Sequence, residues 1–144
     1  MLVQTILKSK GDLGVFTMPP DARVSEAAAE LSERRFGTVV VSSDGVSADG
    51  ILSERDIVRE LGKRGAGCLT DRLESVMTSK LVTCTATETA ESVMAKMTEG
   101  RFRHMPVVDG TKMVGLISLG DVVKARLQEL AMEKDALQEM IMGH

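Results

Sequence analysis

The chain has no tryptophan and no tyrosine, and its only aromatic residues are the phenylalanines Phe16, Phe36 and Phe102. Proteins that bind single-stranded nucleic acid stack the bases on several exposed aromatic rings, and this composition excludes such a platform. The net charge of −3 gives no support to binding through a strongly basic face. We therefore expect no nucleic-acid partner.

Cysteine, histidine and long apolar runs are also scarce. Cys68 and Cys84 form no C-x-x-C motif, and His104 and His144 do not stand at metal-ligand spacing from them. A structural zinc ion usually needs four closely spaced nitrogen or sulfur ligands, so we expect no metal site. Free cysteines, the lack of an apolar run as long as a membrane span and the lack of a signal-peptide pattern in residues 1–10 predict a cytoplasmic protein with no membrane partner.

An internal repeat is the most informative feature that is present. Residues 50–56 and 115–121 both read Gly-apolar-apolar-Ser-x-x-Asp, at an offset of 65 residues, and an apolar pair follows each. An Asp-Gly pair at 44–45 and 109–110 keeps this offset. An Arg-Phe pair at 35–36 and 101–102 has an offset of 66, so we place one extra residue in the loop after Val41.

Both halves predict the same order of elements: strand, helix, strand, strand, helix. We expect helices over 24–35 and 90–99, with Thr89 as an N-cap, and a further helix after each repeated motif. The expected strands are 14–18, 39–41 and 50–52 in the first half, and 80–84, 105–108 and 113–117 in the second.

The predicted fold class is α+β or α/β, with two pseudo-symmetric repeats and a long C-terminal helix. We assign residues 1–66 to the first repeat and 67–144 to the second, with a glycine-containing linker over 62–75. A half of about 65 residues buries too little apolar surface to be stable alone, so we expect the halves to pack sheet to sheet. Small ligands usually bind in clefts between such subdomains.

The repeated motif, the order of elements and the run Arg103–Asp109 resemble the CBS domain. The tandem resembles a Bateman module, in particular the small stand-alone bacterial proteins with two CBS domains. The resemblance implies a sensor without catalytic activity that binds AMP, ADP, ATP or NAD(H). It also implies a homodimer, and an effector protein of unknown identity as a further partner.

The repeated motif suits a nucleotide. Ser118 ends a strand and begins a helix, whose unpaired N–H groups favour a phosphate, and its hydroxyl can donate to the same group. Asp121 can accept hydrogen bonds from two ribose hydroxyls. Ser53 and Asp56 repeat the arrangement in the first half. The alternative is a helix capping box, which leaves the preceding glycine unexplained; that glycine suggests a close backbone approach. The two roles can coexist.

Cationic residues stand near each motif. Arg103 and His104 are predicted to neutralise the phosphate, and His104 would make binding depend on pH. Thr38 takes the place of His104 in the first half, and Arg55 lies inside the first motif, directed at phosphate or at solvent. The alternative for the cluster Arg101–His104 is a solvated helix end, where cations suit the helix dipole.

Apolar strand residues are candidate walls for adenine, and core packing is the alternative for each of them. Pro106 inside a strand indicates an edge strand or a locally unpaired one. Because Thr38 and Val40 replace His104 and Pro106, the first half departs from the family pattern and its site is expected to differ. The candidates are Val82, Thr83, Met105 and Pro106 in one half, and Phe16, Thr17 and Val39 in the other.

Two other functions compete with a nucleotide sensor. An enzyme would need a base beside a nucleophile, and His104 with Cys84 or Ser118 is the only candidate set, without a supporting motif. We therefore predict no enzymatic activity. The alternative is a dimerisation or partner-binding protein without a ligand.

The C-terminal helix, expected over 121–142, supports self-association. It carries an apolar stripe that extends past the repeat and that we assign to a dimer contact. An intramolecular strap is the alternative. The stripe consists of Val123, Leu127, Leu130, Leu137 and Ile141, interrupted by Lys134.

Overall fold

The computed structural model describes residues 1–11 and 14–143. Six helices and five strands are placed in these residues, and a 3₁₀ helix, Gly65–Thr70, precedes the fourth α-helix. In chain order they are α1 Val3–Ser9, β1 Thr17–Met18, α2 Val24–Arg34, β2 Thr38–Val41, β3 Gly50–Ser53, α3 Glu54–Arg64, α4 Leu73–Val76, α5 Ala90–Gly100, β4 His104–Asp109, β5 Lys112–Ser118 and α6 Leu119–Ile141.

The described residues form two compact units. One, which we call the α6 unit, contains α1, α5, α6 and most of β4 and β5. The other, the α3 unit, contains β1 to β3, α2 to α4 and the tip of the β4–β5 hairpin, Asp109–Val114. The units combine segments from both sequence repeats, and the boundary placed between residues 66 and 67 stays a prediction about the repeats.

A three-stranded sheet lies in the α3 unit, with β2 in the middle, β1 parallel to it and β3 antiparallel. All four residues of β2 are buried, as a continuous β-branched run predicts for a central strand. Helix α2 buries Val24, Ala27 and Leu31, which follow the spacing of one helix face. The predicted order of elements is therefore confirmed in the first repeat.

The α6 unit has a core of its own beside the two-stranded sheet of β4 and β5. Helix α5 contributes Val93 and Met97, the strands contribute Met105 and Ile117, and α6 contributes Val122. Thr89 caps α5 as predicted, because its hydroxyl accepts from the backbone N–H of Ser92 at 3.1 Å.

The strand predicted over 80–84 is wrong except for one residue, and Pro106 explains the difference. Cys84 forms an isolated parallel bridge with Val107, through bonds from Cys84 N–H to the Pro106 carbonyl and from Val108 N–H to the Cys84 carbonyl. The next bond of that ladder would need an N–H on residue 106, which proline lacks. In the first repeat Val40 fills this place, and the ladder includes Thr17. The expected local loss of pairing at Pro106 is confirmed.

Helices α1 and α4 occupy equivalent places in the two units, which the sequence analysis missed. The backbone N–H of Val3 donates to the Glu88 carbonyl at 2.9 Å in the α6 unit. The N–H of Leu73 donates to the Ala22 carbonyl at 2.9 Å in the α3 unit. Val3 and Leu73 are both fully buried. The helix that precedes each repeat along the chain therefore packs in the unit built mainly from the other repeat.

The glycines of segment 62–75 predicted a linker, and this prediction is wrong. It contains the end of α3, the 3₁₀ helix and the start of α4, and it buries Cys68 and Leu73. The segment is ordered into helices because its buried side chains at 68 and 73 complete the core of the α3 unit.

Helices α2 and α5 end in the same way. Arg35 and Arg101 follow their last turns in the left-handed conformation, both with φ of 57°. Each donates its N–H back to the helix, to the carbonyls of Leu31 and Met97. Both are exposed, as a solvated helix end requires. None of the helices in the described residues is long and apolar enough to cross a membrane.

Candidate ligand-binding site

The start of α6 is a complete capping box. The Ser118 hydroxyl accepts from the backbone N–H of Asp121 at 3.1 Å, and Asp121 Oδ2 accepts from the backbone N–H of Ser118 at 2.9 Å. The capping alternative is therefore present in the structure. It fixes the carboxylate beside the first turn of a 23-residue helix, where the helix dipole is positive.

Lys10, which follows α1, also binds this carboxylate. Its Nζ lies 2.8 Å from Asp121 Oδ2 and 3.1 Å from the Leu116 carbonyl oxygen. Burial raises the pKa of Asp121, but the hydrogen bonds from Lys10 and Ser118 outweigh it, so the net pKa is lowered. Asp121 is therefore an anion at neutral pH, available to accept hydrogen bonds.

Arg103 and His104 lie beside the same helix start. The Arg103 carbonyl accepts from the N–H of Leu119 at 2.7 Å, which ties the entrance of β4 to the first turn of α6. Burial of the half-buried His104 ring lowers its pKa, the charges of Lys10 and Arg103 lower it further, and Asp121 opposes them. The structure thus brings together the group that we call the α6 corner: Lys10, Arg103, His104, Ser118 and Asp121.

The α3 unit has a corresponding corner at the start of α3. Asp56 Oδ2 accepts from the backbone N–H and the hydroxyl of Ser53 at 2.9 and 3.1 Å. Arg59 donates to Asp56 Oδ1 at 2.9 Å, and the N–H of Glu54 donates to the Gly37 carbonyl. Asp56 is 8% exposed, so this carboxylate is more enclosed by its own chain than Asp121.

Thr38 stands directly across from Ser53 in the β2–β3 ladder and is 5% exposed. Thr17 pairs with Val40 in the parallel ladder and is half-buried. Arg55 lies on the exposed side of the first turn of α3.

Phe16 and Val82 are the remaining candidates of the α3 unit. The guanidinium of Arg34 covers the Phe16 ring, 3.8 Å from its centroid, and the rest of the ring packs against the core. Val82 is 45% exposed, so a ligand could reach its side chain.

The adenine-wall candidates of the α6 unit have different surroundings. Met105 is fully buried in the core, and Pro106 is buried. The prediction that they form walls for adenine is therefore wrong for this structure, because both residues are covered by the chain's own packing. Thr83 is half-buried, and its carbonyl accepts from Lys96 Nζ at 3.4 Å.

The glycine that opens each repeated motif has a packing role. A Cβ on Gly50 would lie 2.3 Å from Met77 Sδ, and a Cβ on Gly115 would lie 2.9 Å from the two Cδ atoms of Leu7. Close approach was expected from the sequence. The approaching groups in the structure are side chains of this chain, from the end of α1 and from the residue after α4.

Sequence reasoning missed Lys10 and did not assign Arg59 a role. Arg59 could have been found, because a cation three residues after Asp56 on a helix is a local pattern. Lys10 lies 111 residues from Asp121 and gives no such signal. The two acidic residues thus bind different cations: a local arginine in one repeat and a distant lysine in the other.

Neither metal nor thiol chemistry is indicated by the geometry. Among the residues that the structure describes, no group of three or more histidine, cysteine, aspartate or glutamate side chains could hold a metal ion. Burial raises the pKa of Cys84 to about 11, with a further contribution from Glu88. A thiol of that kind is a weak nucleophile at neutral pH, which argues against the pair of Cys84 and His104 as catalytic groups.

The duplicated fold, with a capped serine–aspartate corner in each unit, defines a protein built from two copies of one module of helices and strands. The CBS domain family profile matches residues 11–63 and 73–128. The chain belongs to the CBS domain family and contains two such domains.

Several relatives share this organisation over most of their length. A mitochondrial CBS domain-containing protein from Arabidopsis thaliana is 31% identical over 148 aligned positions, which cover 98% of this chain and 72% of the relative. The crystal structure of a CBS-domain protein from Agrobacterium tumefaciens is 40% identical, with a TM-score of 0.83, covering 88% of this chain and 99% of that one. A CBS domain protein from Pyrobaculum aerophilum, solved in complex with AMP, is 27% identical with a TM-score of 0.77 over 92% of this chain and 99% of that one.

Proposed function

We propose that this protein is a regulatory module, without catalytic activity of its own, that binds an adenine nucleotide at the α6 corner. The observation that carries the proposal is the convergence of Lys10, Arg103 and His104 on the capped start of α6, around the ionised Asp121. The AMP complex of the Pyrobaculum relative supports an adenine ligand.

Each group of the corner has a chemical part in this proposal. Asp121 accepts hydrogen bonds from the ribose hydroxyls, as a carboxylate does in dinucleotide-binding folds. The Ser118 hydroxyl and the N–H of Gly120 donate to the phosphate, because the N–H groups of Leu119 and Asp121 already bind the Arg103 carbonyl and the Ser118 hydroxyl. Arg103 belongs to the same corner and supplies positive charge. The lowered pKa of His104 disfavours its charged form, so we propose that its ring contributes a hydrogen bond to the phosphate in place of the positive charge expected from the sequence.

The α3 corner is proposed as the weaker of two sites. Asp56 is nearly buried, and its two oxygens bind Ser53 and Arg59. A ligand there would have to replace the Arg59 ion pair at Oδ1 of Asp56, whereas the bonds of Asp121 to Lys10 and to the Ser118 N–H both fall on Oδ2. We therefore expect the first ligand to bind at the α6 corner.

The proposal extends to the setting of the module. We propose a homodimer in the cytoplasm that passes its ligand-dependent state to an effector protein. The family membership supports a regulatory module of this kind.

A melting screen tests the ligand. The protein is heated with AMP, ADP, ATP, NAD, NADH or S-adenosylmethionine, and calorimetric titration confirms each hit. A ligand at 100 times its Kd stabilises the fold by about 2.7 kcal/mol, which is a shift of several degrees for a chain of this size.

If no adenine compound shifts the melting temperature or gives heat of binding, the two corners are helix caps only. The alternative of a dimerisation or partner-binding protein without ligand then replaces the proposal. Hydrolysis of a nucleotide during incubation would favour an enzyme instead.

A further inference from the structure

The exposed face of α6 carries a regular apolar pattern. Val123 is 39% exposed, Leu127 63%, Leu130 49%, Leu137 59% and Ile141 78%, which is not what an intramolecular strap predicts. Together with the exposed Lys134 they form what we call the α6 seam. Large apolar side chains in a row on the surface indicate a contact with another molecule.

The spacing of the α6 seam is that of a coiled coil. Successive members are separated by four, three, four, three and four residues, which are the a and d positions of a heptad repeat. The face of α6 that packs on its own core is a different one, formed by Val122 and Ala125. At about 100° per residue, the two faces lie roughly 130° apart, about a third of a turn, so both can be covered at once.

The charge on α6 is unevenly divided along its length. Residues 119–128 have a net charge of +1, and residues 129–141 have a net charge of −3. The first part holds Asp121, Lys124 and Arg126, and the second holds Glu129, Glu133, Lys134, Asp135 and Glu139. In an antiparallel pair over residues 123–141, the basic residues Lys124 and Arg126 of each helix lie beside the partner's segment 136–141, whose charged residue is Glu139, and the two helix dipoles run in opposite directions.

We propose that the α6 seam binds the α6 seam of a second copy of this chain in an antiparallel pair. In the register that overlaps all six positions, Val123 faces the partner's Ile141, Leu127 faces the partner's Leu137, and Leu130 faces the partner's Lys134. Antiparallel coiled coils pair an a position with a d position, which this register does in every layer. The aliphatic stem of Lys134 covers the partner's Leu130, and its ammonium group extends towards the partner's Glu133.

Lys134 selects this direction over the parallel one. In a parallel pair in register, Lys134 would face the partner's Lys134, and the acidic ends of the two helices would lie side by side. A single lysine at an a position specifies the register and the number of helices at a cost in stability. The proposal concerns the assembly of the chain and does not depend on the ligand.

Directed disulfide formation distinguishes the two orientations. Leu127→Cys and Leu137→Cys are made separately in a background where the buried Cys68 and Cys84 are replaced by alanine. The mixture of the two proteins is expected to form a disulfide-linked dimer on mild oxidation, and each variant alone is not. In the antiparallel pair, the cysteine of one copy and the same cysteine of the other copy would be about 15 Å apart along the helix axis, which is too far for a disulfide. Linked dimers from each variant alone, or no linked dimer in the mixture, would overturn the proposal.

Sedimentation equilibrium measures the contribution of the seam to assembly. The double substitution Leu127→Glu with Leu137→Glu is expected to weaken self-association by at least about 100-fold, because it places charges in two apolar layers of each copy. Met132→Glu is the matched control, since Met132 is 67% exposed on the opposite side of the same helix. An unchanged circular dichroism spectrum shows that each variant folds. Self-association unaffected by the double substitution, or a monomeric wild type up to millimolar concentration, would refute the proposed contact.

Discussion

Replacing Asp121 with alanine separates ligand binding from helix capping, because the structure allows both costs to be estimated. The substitution removes the acceptor of the Ser118 N–H and the ion pair with Lys10. The lost backbone bond costs about 1 kcal/mol. The ion pair is partly exposed, with Lys10 at 41%, so its contribution is at most about 1 kcal/mol. The variant should stay folded and melt a few degrees lower.

The effect of Asp121→Ala on ligand binding should be larger than its effect on stability. Loss of a charged acceptor for ribose hydroxyls costs about 1.5–3 kcal/mol, which is roughly a 10- to 150-fold rise in the Kd for AMP. Isothermal titration calorimetry at a temperature well below the melting point measures this Kd directly. Asp135→Ala on the exposed part of α6 is the control and should leave the Kd unchanged.

Asp121→Asn separates the effect of the charge from that of the helix cap. It keeps an oxygen that can accept from the Ser118 N–H but removes the negative charge. The folded-state pKa of Asp121 is lowered, so its charge stabilises the fold at neutral pH and this contribution is lost as pH falls through the folded pKa. The difference in melting temperature between wild type and Asp121→Asn should therefore narrow below about pH 4. If the wild-type protein binds AMP and Asp121→Ala binds it with the same Kd, the nucleotide does not use this carboxylate.

Three further predictions follow from burial and charge. The lowered pKa of His104 means that the imidazole binds a proton more readily in the unfolded chain than in the folded one. The free energy of unfolding should therefore fall from pH 7 to pH 5, and it should fall less in His104→Gln. Thermal melts with the same pH profile for both proteins would contradict this. Val3→Ala should lower the unfolding free energy by about 2 kcal/mol in urea titrations, because Val3 is fully buried, whereas a free α1 would give no change. Iodoacetamide at pH 8 should label Cys68 and Cys84 only after unfolding, since both are buried; fast labelling of the folded protein would refute that placement.

The repeated elements could be predicted because their signals are local. The four-residue β-branched strand β2 and the apolar spacing of α2 and α5 each specify one element within a short window. Ser118 and Asp121 likewise indicate where α6 begins, since a capping box needs both partners three positions apart, although the helix starts at Leu119, two residues before the expected 121.

The parts that the sequence did not predict depend on distant contacts. Helix α4 has four residues, too few for a periodic signal, and only its match with α1 explains its position. Lys10 reaches Asp121 through the fold, so no spacing rule could assign it. Pro106 indicated a loss of pairing, but its consequence for the strand at 80–84 required the bridge at Cys84 to be seen.

Glycines of the motif show a different limit. Gly50 and Gly115 correctly indicated a close approach, and the sequence could not say whether a ligand or a side chain makes it. Met77 and Leu7 take that place in the structure. One pattern thus served two purposes, since the serine and aspartate begin the helix while the glycine admits a neighbouring side chain.

The exchange of α1 and α4 between the units has a consequence for the order of folding. Nearly all of the α3 unit is continuous in sequence, from 14 to 82, whereas the α6 unit must join α1 to residues beyond 83. Closing that long loop costs entropy and slows the step, so we expect the α3 unit to form first and α1 to wait for α5 and α6. Pulsed hydrogen exchange during refolding should protect the amide of Leu52 before that of Ile117, and simultaneous protection would show that the units fold as one.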